Sequence, residues 1–345
     1  MGERVRWEDE TVVRRLGLLI GIGLFAWILA HADLAAVWRQ VRHFRWEFGL
    51  IFLFYAVIFG LDTLGWQFAL TRRSQRRVRW SSLFRMRLAG EAVNYVTPTG
   101  TIGGEPIKAI LLSRRHGIPL ADGMASVVIA KTTLVFSMLL FVLAGIAVTV
   151  ATQTMDRVVF RWVWRVLPVL SLLLVLFLLA QFLQPFRRGS SLAHGVSLWA
   201  RLPRLSEWLK RAMDKVQGWD RAILSFYRQS PGSVLWSLGF HFLGWLAGAV
   251  EVYLILRLLG IPVSPATAFS MEALWVLLKT VAFMIPGSLG ASEGILLLVC
   301  GGLGVSAVPG LALGLLRRAR EVLWVGLGFL EFTRMDQGWA QTASR

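Results

Sequence analysis

Charged side chains stand inside stretches that are otherwise apolar: Glu91, Glu105, Lys108, Lys131, Glu251, Arg257, Glu272, Lys279, Glu293, Arg317, Arg318, Arg320 and Glu321. At a lipid-facing helix centre each would cost about 2.5–3.5 kcal/mol, so such residues must face protein or water. Arg257 and Arg320 lie close enough to predicted segment ends to snorkel. For the others two chemistries are open. The acids and bases can pair with one another, because a buried charge needs a counter-charge. Alternatively Lys108, Lys131, Lys279, Arg317 and Arg318 line a cavity for an anionic head group stripped of water, while the glutamates balance charge or carry protons. Both can hold together, since an empty site must still pair its charges.

The spacing of these residues repeats. Pro98 to Glu105 reads Pro-Thr-Gly-Thr-Ile-Gly-Gly-Glu, and Pro286 to Glu293 reads Pro-Gly-Ser-Leu-Gly-Ala-Ser-Glu. A charge stands seven residues before each proline, Glu91 in one copy and Lys279 in the other. Beyond the connector the register slips by one, matching Gly117-Ile118 with Gly304-Val305 and Lys131 with Arg318. Broken apolar segments at equivalent places in two halves point to a transport site near the bilayer midplane. Glu105 and Glu293 each open a return helix, where the helix dipole favours negative charge, whether a side chain or a bound anion.

The elements that must position these groups belong to a membrane. With 56% hydrophobic residues and a mean hydropathy of +0.60, the chain exceeds the roughly 45–50% apolar content of soluble domains. Runs of about 18 apolar residues suffice to cross hydrocarbon. The expected fold is all-α: a polytopic helical bundle forming one integral membrane domain over 1–345, with six full spans. These lie near Leu16 to Ala30, Gly49 to Leu70, Leu120 to Val150, Val163 to Leu183, Ser233 to Leu259 and Ala307 to Phe332. Two interrupted segments, near Ser81 to Ser113 and Ala266 to Gly304, read as re-entrant helical hairpins, with pairs of ordinary spans as the alternative. They begin repeat A (81–150) and repeat B (266–332), and the spans between them predict that the two copies are inverted.

Orientation follows from Lys and Arg, which favour cytoplasmic loops. Arg4, Arg6, Arg14, Arg15, Arg72, Arg73, Arg76, Arg77, Arg79, Arg114, Arg115, Arg334 and Arg345 fall on one side, together with the basic loop between Pro185 and Gly232. Only Arg39, Arg42, Arg45, Arg157, Arg161 and Arg165 fall on the other. Both termini are therefore expected in the cytoplasm. The net charge of +17 is accounted for by orientation and anionic lipid, with no nucleic-acid partner required. Within 185–232, apolar residues from Leu198 to Phe226 recur every three or four positions among basic ones. That pattern suits a cytoplasmic amphipathic helix at the membrane surface or a linker packed on the bundle.

Gly90-Glu91, Asn94, Pro98, Gly100, Gly103-Gly104-Glu105 and Lys108, followed by Pro286-Gly287, Gly290 and Glu293, form a recognisable set. Together they resemble the transmembrane flippase region of lysyl-phosphatidylglycerol synthases and its stand-alone relatives, over roughly Asp62 to Glu321. Leu315 to Glu321 and Asp62 to Trp66 look like the stand-alone branch associated with hopanoid-producing bacteria. The resemblance implies lipid movement between leaflets of the bacterial inner membrane, with membrane lipids as partners. Small-residue pairs such as Gly17/Gly21 and Gly244/Gly248 suit close helix packing within the chain or in a homodimer, and lipid-biosynthesis enzymes are further expected partners. The site expected from the motif set together with the intramembrane bases comprises Glu91, Asn94, Pro98, Gly103, Gly104, Glu105, Lys108, Lys131, Lys279, Pro286, Gly290, Glu293, Arg317 and Arg318. The family's lysyl transfer belongs to a separate cytosolic domain and is not carried over.

Enzyme signatures are otherwise poor, so the protein is expected to be a transporter without cofactor or metal. Gly290 to Gly294 spells G-x-S-x-G, yet that motif needs a strand-turn-helix and a histidine partner. The histidines His31, His43, His116, His194 and His241 are scattered at no ligand spacing, and there is no phosphate-binding Gly-x-x-x-x-Gly-Lys loop. Cys300 sits in an apolar run as packing. The rival expectation is an integral transferase acting on a lipid or polyprenyl-phosphate carrier.

Overall fold

The computed structural model describes residues 19, 21–42, 44, 46–97, 103–152, 226, 231–282 and 285–343. Pro98, Gly100, the predicted span Val163 to Leu183 and nearly all of the basic segment 185–232 lie outside them. The described residues form helices and no strand. In chain order these are α1 (Gly21–His31), α2 (Leu34–Val41), α3 (Trp46–Phe68), α4 (Arg72–Arg77), α5 (Trp80–Val96), α6 (Glu105–His116), α7 (Leu120–Ala151), α8 (Pro231–Leu258), α9 (Pro265–Lys279), α10 (Ala291–Gly302) and α11 (Ala307–Ala343).

Trp46–Phe68, Leu120–Ala151 and Gly232–Leu258 are long and apolar enough to cross a membrane, with mean hydropathies of 1.9, 2.6 and 1.5. The α1 and α2 pair passes the same test only when taken together, and its two parts meet at 87°. Asp33 explains the break, because its carboxylate accepts the Ala36 N–H at 2.8 Å and so starts a second helix. The last expected span is a single helix of 37 residues. It fails the apolar test because Arg317, Arg318, Arg320 and Glu321 occupy its middle.

The two interrupted segments are helical hairpins. Helices α5 and α6, of 17 and 12 residues, and α9 and α10, of 15 and 12, each fall short of the roughly 20 residues a span needs. In the first hairpin the start of α5 meets the end of α6, with Ser82 Oγ 2.8 Å from His116 Nε2. Gly117, with φ +61°, caps α6 in the left-handed region. In the second, Trp275 near the end of α9 donates its indole N–H to the Ser292 carbonyl at 3.2 Å in the first turn of α10, and Gly304 takes the equivalent left-handed turn at φ +78°.

The hairpins enter from opposite ends of the bundle. Helices α3 and α8 run antiparallel: Ser237 near the start of α8 donates to the Gly65 carbonyl near the end of α3 at 2.8 Å, while Glu47 and Leu258 line one recess at their other ends. The first hairpin follows the end of α3, and Gly60 of α3 packs against Trp80. The second follows the end of α8 and leads into α11, whose Val308 lines the same recess as Leu258. The apolar core divides accordingly. Trp66, Leu83, Met86 and Leu112 pack around the first hairpin, and Leu256, Met271, Leu274, Val299 and Leu313 around the second.

Candidate functional site

The hairpin tips meet in the interior, and the backbone allows it only through glycine. A Cβ on Gly104 would overlap the Gly90 carbonyl oxygen, and a Cβ on Gly90 would strike the Lys108 stem. Gly290 adopts φ +72°, and a Cβ there would lie 2.6 Å from Phe25 N and 2.7 Å from Gly21 O of α1. Asn94 clasps the first tip: its Oδ1 accepts the Gly104 N–H at 2.6 Å, and its Nδ2 donates to Glu91 at 3.2 Å and to Glu105 at 3.4 Å.

Around each tip a glutamate at the head of the return helix pairs with a base on the long helix that follows. Glu105 lies 3.5 Å from Lys131 of α7, and Glu293 lies 2.7 Å from Arg318 of α11. The first tip adds Lys108, which holds Glu91 at 2.6 Å and Glu105 at 3.1 Å. The second adds donations from Arg318 to the Tyr95 hydroxyl at 2.6 Å and the Gly287 carbonyl at 2.8 Å, with Glu321 at 3.3 Å. Arg318 therefore ties the two tips together across the molecule.

Between the tips lies a cavity of about 220 Å³, lined from the first hairpin by Arg87, Glu91, Asn94 and Tyr95 and from the second by Lys279, Gly287 and Ser288. Asp62 of α3 and Glu321 of α11 complete its charged wall, and Ile58, Leu88 and Val325 supply apolar wall. Glu91 and Lys279, which stand seven residues before the two prolines, face this one space. Lys108, Lys131 and Glu105 line a smaller recess beside it, together with His241.

Other expected site residues go elsewhere. Arg317 does not line the cavity: it is 5% exposed and is clamped between Glu251 at 3.1 Å and Glu272 at 2.9 Å. Arg320 does not snorkel, because it is buried against Glu251 with its guanidinium 3.8 Å from the centre of the Tyr55 ring. One turn of α11 points both arginines at an acid on a neighbouring helix, which removes the reason to reach for the interface. Gly103 and Gly104 form the turn that opens α6, and Pro286 lies in the 3-10 turn Pro286–Ser288.

Several participants are absent from the expected set. Arg87 pairs with Asp62 at 2.9 Å and stands one helical turn before Glu91, so the i,i+4 spacing could have flagged it. Asp62 also meets His241 Nδ1 at 3.1 Å, and Tyr95 joins the tips; neither His241 nor Tyr95 carries a sequence signal of its contact. No group of three or more histidine, cysteine or acidic residues suited to a metal occurs among the described residues. Ser292 of the G-x-S-x-G stretch sits in the first turn of a helix preceded by a 3-10 turn, not by a strand.

Membrane-length helices, two short hairpins meeting tip to tip and a paired, charged interior define a polytopic helical membrane protein with an internal polar site. The chain belongs to the lysylphosphatidylglycerol synthase TM region family, whose model matches residues 15–328. It is 25% identical over 258 residues to a UPF0104 membrane protein of Methanothermobacter thermautotrophicus, covering 72% of this chain and 73% of that one. No solved structure matches it.

Proposed function

We propose that the protein moves a polar-headed lipid between the leaflets of a bacterial cytoplasmic membrane, with the space between the hairpin tips as the head-group site. One observation carries this reading: residues of both hairpins, entering from opposite ends, line a single charged cavity. Inverted elements that meet at a shared site can rock to open it first to one face and then to the other. Membership of a family named for a lipid synthase's membrane region supports a lipid as cargo, and the Leu315 to Glu321 stretch favours the stand-alone, hopanoid-associated branch. The basic residues Arg72, Arg73, Arg76, Arg77, Arg114 and Arg115 support a cytoplasmic mouth for the first hairpin and, with it, cytoplasmic termini.

The test is reconstitution into liposomes carrying fluorescent lipids, scored by the fraction a membrane-impermeant quencher reaches. The wild-type protein should accelerate exchange for at least one head group. Glu105→Gln, Glu293→Gln and Lys131→Ala should abolish it while the protein still inserts. Equal exchange in vesicles with and without protein, across several head groups, would overturn the proposal. Consumption of a sugar or polyprenyl-phosphate donor by the purified protein would replace it with a transferase.

A further inference from the structure

We propose that His241 is the proton-binding residue of the transport cycle, positioned by Asp62 and taking up a proton at Nε2. This role rests on the reading of the protein as a lipid transporter and supplies the ion that drives it.

His241 lies inside the membrane-length helix α8 and is 1% exposed. Ionisable residues at such positions commonly belong to proton relays. Its Nδ1 lies 3.1 Å from Asp62 Oδ1, and the other oxygen of that carboxylate is held by Arg87 at 2.9 Å. A carboxylate in an ion pair only accepts, so Nδ1 carries the hydrogen and Nε2 keeps the lone pair. Nε2 is buried and has no hydrogen-bond partner among the described residues. The pair is closely seated. A Cβ on Gly65 of α3 would lie 2.5 Å from the imidazole Cε1, and one on Gly244 of α8 would lie 2.8 Å from Asp62 Oδ1.

The imidazole lines the recess beside the first hairpin tip, whose volume is about 20 Å³. One water molecule needs roughly 10–15 Å³, so a water-borne proton fits there and a substrate does not. The charged groups around His241 are Asp62 from α3, Arg87 and Glu91 from α5, Glu105 and Lys108 from α6 and Lys131 from α7. Glu251 of α8 and Glu272 of α9 lie about two turns or more farther along α8, against Arg317 and Arg320 of α11. Asp62, Glu91 and Glu105 are held by Arg87, Lys108 and Lys131, so the near set balances while His241 is neutral. A proton on Nε2 adds a buried positive charge, which Asp62 must meet. The imidazolium then competes with Arg87 for that carboxylate, and Arg87 Nη2 has a second acid, Glu91, at 4.0 Å. Asp62, Arg87 and Glu91 all line the cavity between the tips. A proton on His241 therefore rearranges the wall of the cargo cavity. In the described conformation Nε2 is sealed, so proton exchange requires α3, α8 or the first hairpin to shift. A ligand bound by one conformation and excluded from another drives the equilibrium between them.

Nitrogen NMR on histidine-labelled protein in detergent reads the site without any lipid movement. His31→Gln, His43→Gln, His116→Gln and His194→Gln together leave His241 as the sole histidine; should that chain fail to fold, the difference between wild-type and His241→Gln spectra isolates the same signal. At about pH 8 the imidazole should be neutral with its hydrogen on Nδ1, and both nitrogens should become protonated as the pH falls toward about 5. A hydrogen on Nε2 at the higher pH, or an imidazole neutral across the whole range, would overturn the assignment. Coupling is read in liposomes whose fluorescent lipid begins equally shared between leaflets. With one proton moved per lipid, a gradient of about one pH unit should draw the wild-type distribution to as much as about tenfold asymmetry. His241→Gln should stay symmetric under the same gradient while still exchanging lipid. Exchange by the wild type without asymmetry, or asymmetry that survives His241→Gln, would remove the proton from the cycle. If the wild type exchanges no lipid at all, the transport reading fails, and the NMR titration alone decides whether His241 binds a proton.

Discussion

At the scale of single residues, the interior is governed by the cost of leaving one charge without its counter-charge. Arg317 is the counter-ion of Glu272 and shares Glu251 with Arg320. Arg317→Met strands Glu272, and breaking a buried pair by removing one partner costs about 3–5 kcal/mol. Thermal unfolding in detergent should show that loss, and adding Glu272→Gln should recover much of it, because Glu251 keeps Arg320. Failure of the second change to recover stability would mean that Arg317 acts through its stacking on Trp275 and not through charge. Which residues carry charge in the interior was legible in the sequence, because an ionised group in an apolar run has few places to go. Which acid meets which base was not. Arg317 and Arg318 are adjacent in sequence, yet the 100° step between neighbouring helix positions sends one to α8 and α9 and the other to the hairpin tips. His241 and Asp62 found each other because α3 and α8 pack antiparallel, a relation that composition does not encode.

At the scale of elements, the hairpins were legible because proline, glycine and a charge recur at matched spacing, and short helices with polar tips follow from that. The right-angled α2 was not, since its cause is one capping aspartate after an apolar run. The tip of the first hairpin depends on the Gly90 and Gly104 backbones touching. Gly104→Ala should therefore part α5 from α6 and break the Asn94 clasp, lowering both melting temperature and lipid exchange. Gly90→Ala should also destabilise the tip, because its Cβ would lie 2.5 Å from the Cγ of the buried, ion-paired Lys108 and 3.1 Å from the Gly104 carbonyl oxygen, but less than Gly104→Ala, whose Cβ runs directly into backbone. If Gly104→Ala were silent, the close approach would not be required for assembly. The mouth of the same hairpin is held by the contact between His116 and Ser82. Burial, followed by the nearby Arg115, pushes the His116 pKa below its usual value. A base depressed in the folded state contributes stability that is present above its unfolded pKa of about 6.5 and fades as pH falls through the folded value. Stability measured against pH should slope downward below about 6.5, and His116→Gln should flatten that slope. An unchanged slope in the variant would assign it to other groups.

At the scale of the whole molecule, the described structure is held shut where its two halves meet. Arg318 reaches from α11 to Glu293 of the second hairpin, to the Gly287 and Ser288 carbonyls at its tip, and to Tyr95 at the tip of the first. A Cβ on Gly287 would lie 2.9 Å from the Tyr95 ring, so the tips are in van der Waals contact. If the cavity is to admit cargo from one face and release it to the other, this contact must break in each cycle, because packed interfaces switch between discrete arrangements and do not deform continuously. A covalent bridge should then stop the cycle without harming the fold. In a Cys300→Ala background, which removes the native buried thiol, Tyr95→Cys with Ser288→Cys can be joined by a short bifunctional thiol reagent. Before cross-linking the double variant should exchange lipid at a reduced but measurable rate, having lost the Tyr95 hydroxyl. After cross-linking exchange should fall to that of protein-free vesicles, while each single-cysteine variant treated alike keeps its rate. Undiminished exchange in the bridged protein would show that the tips move as one body, and the path of the lipid would then have to lie outside the space between them.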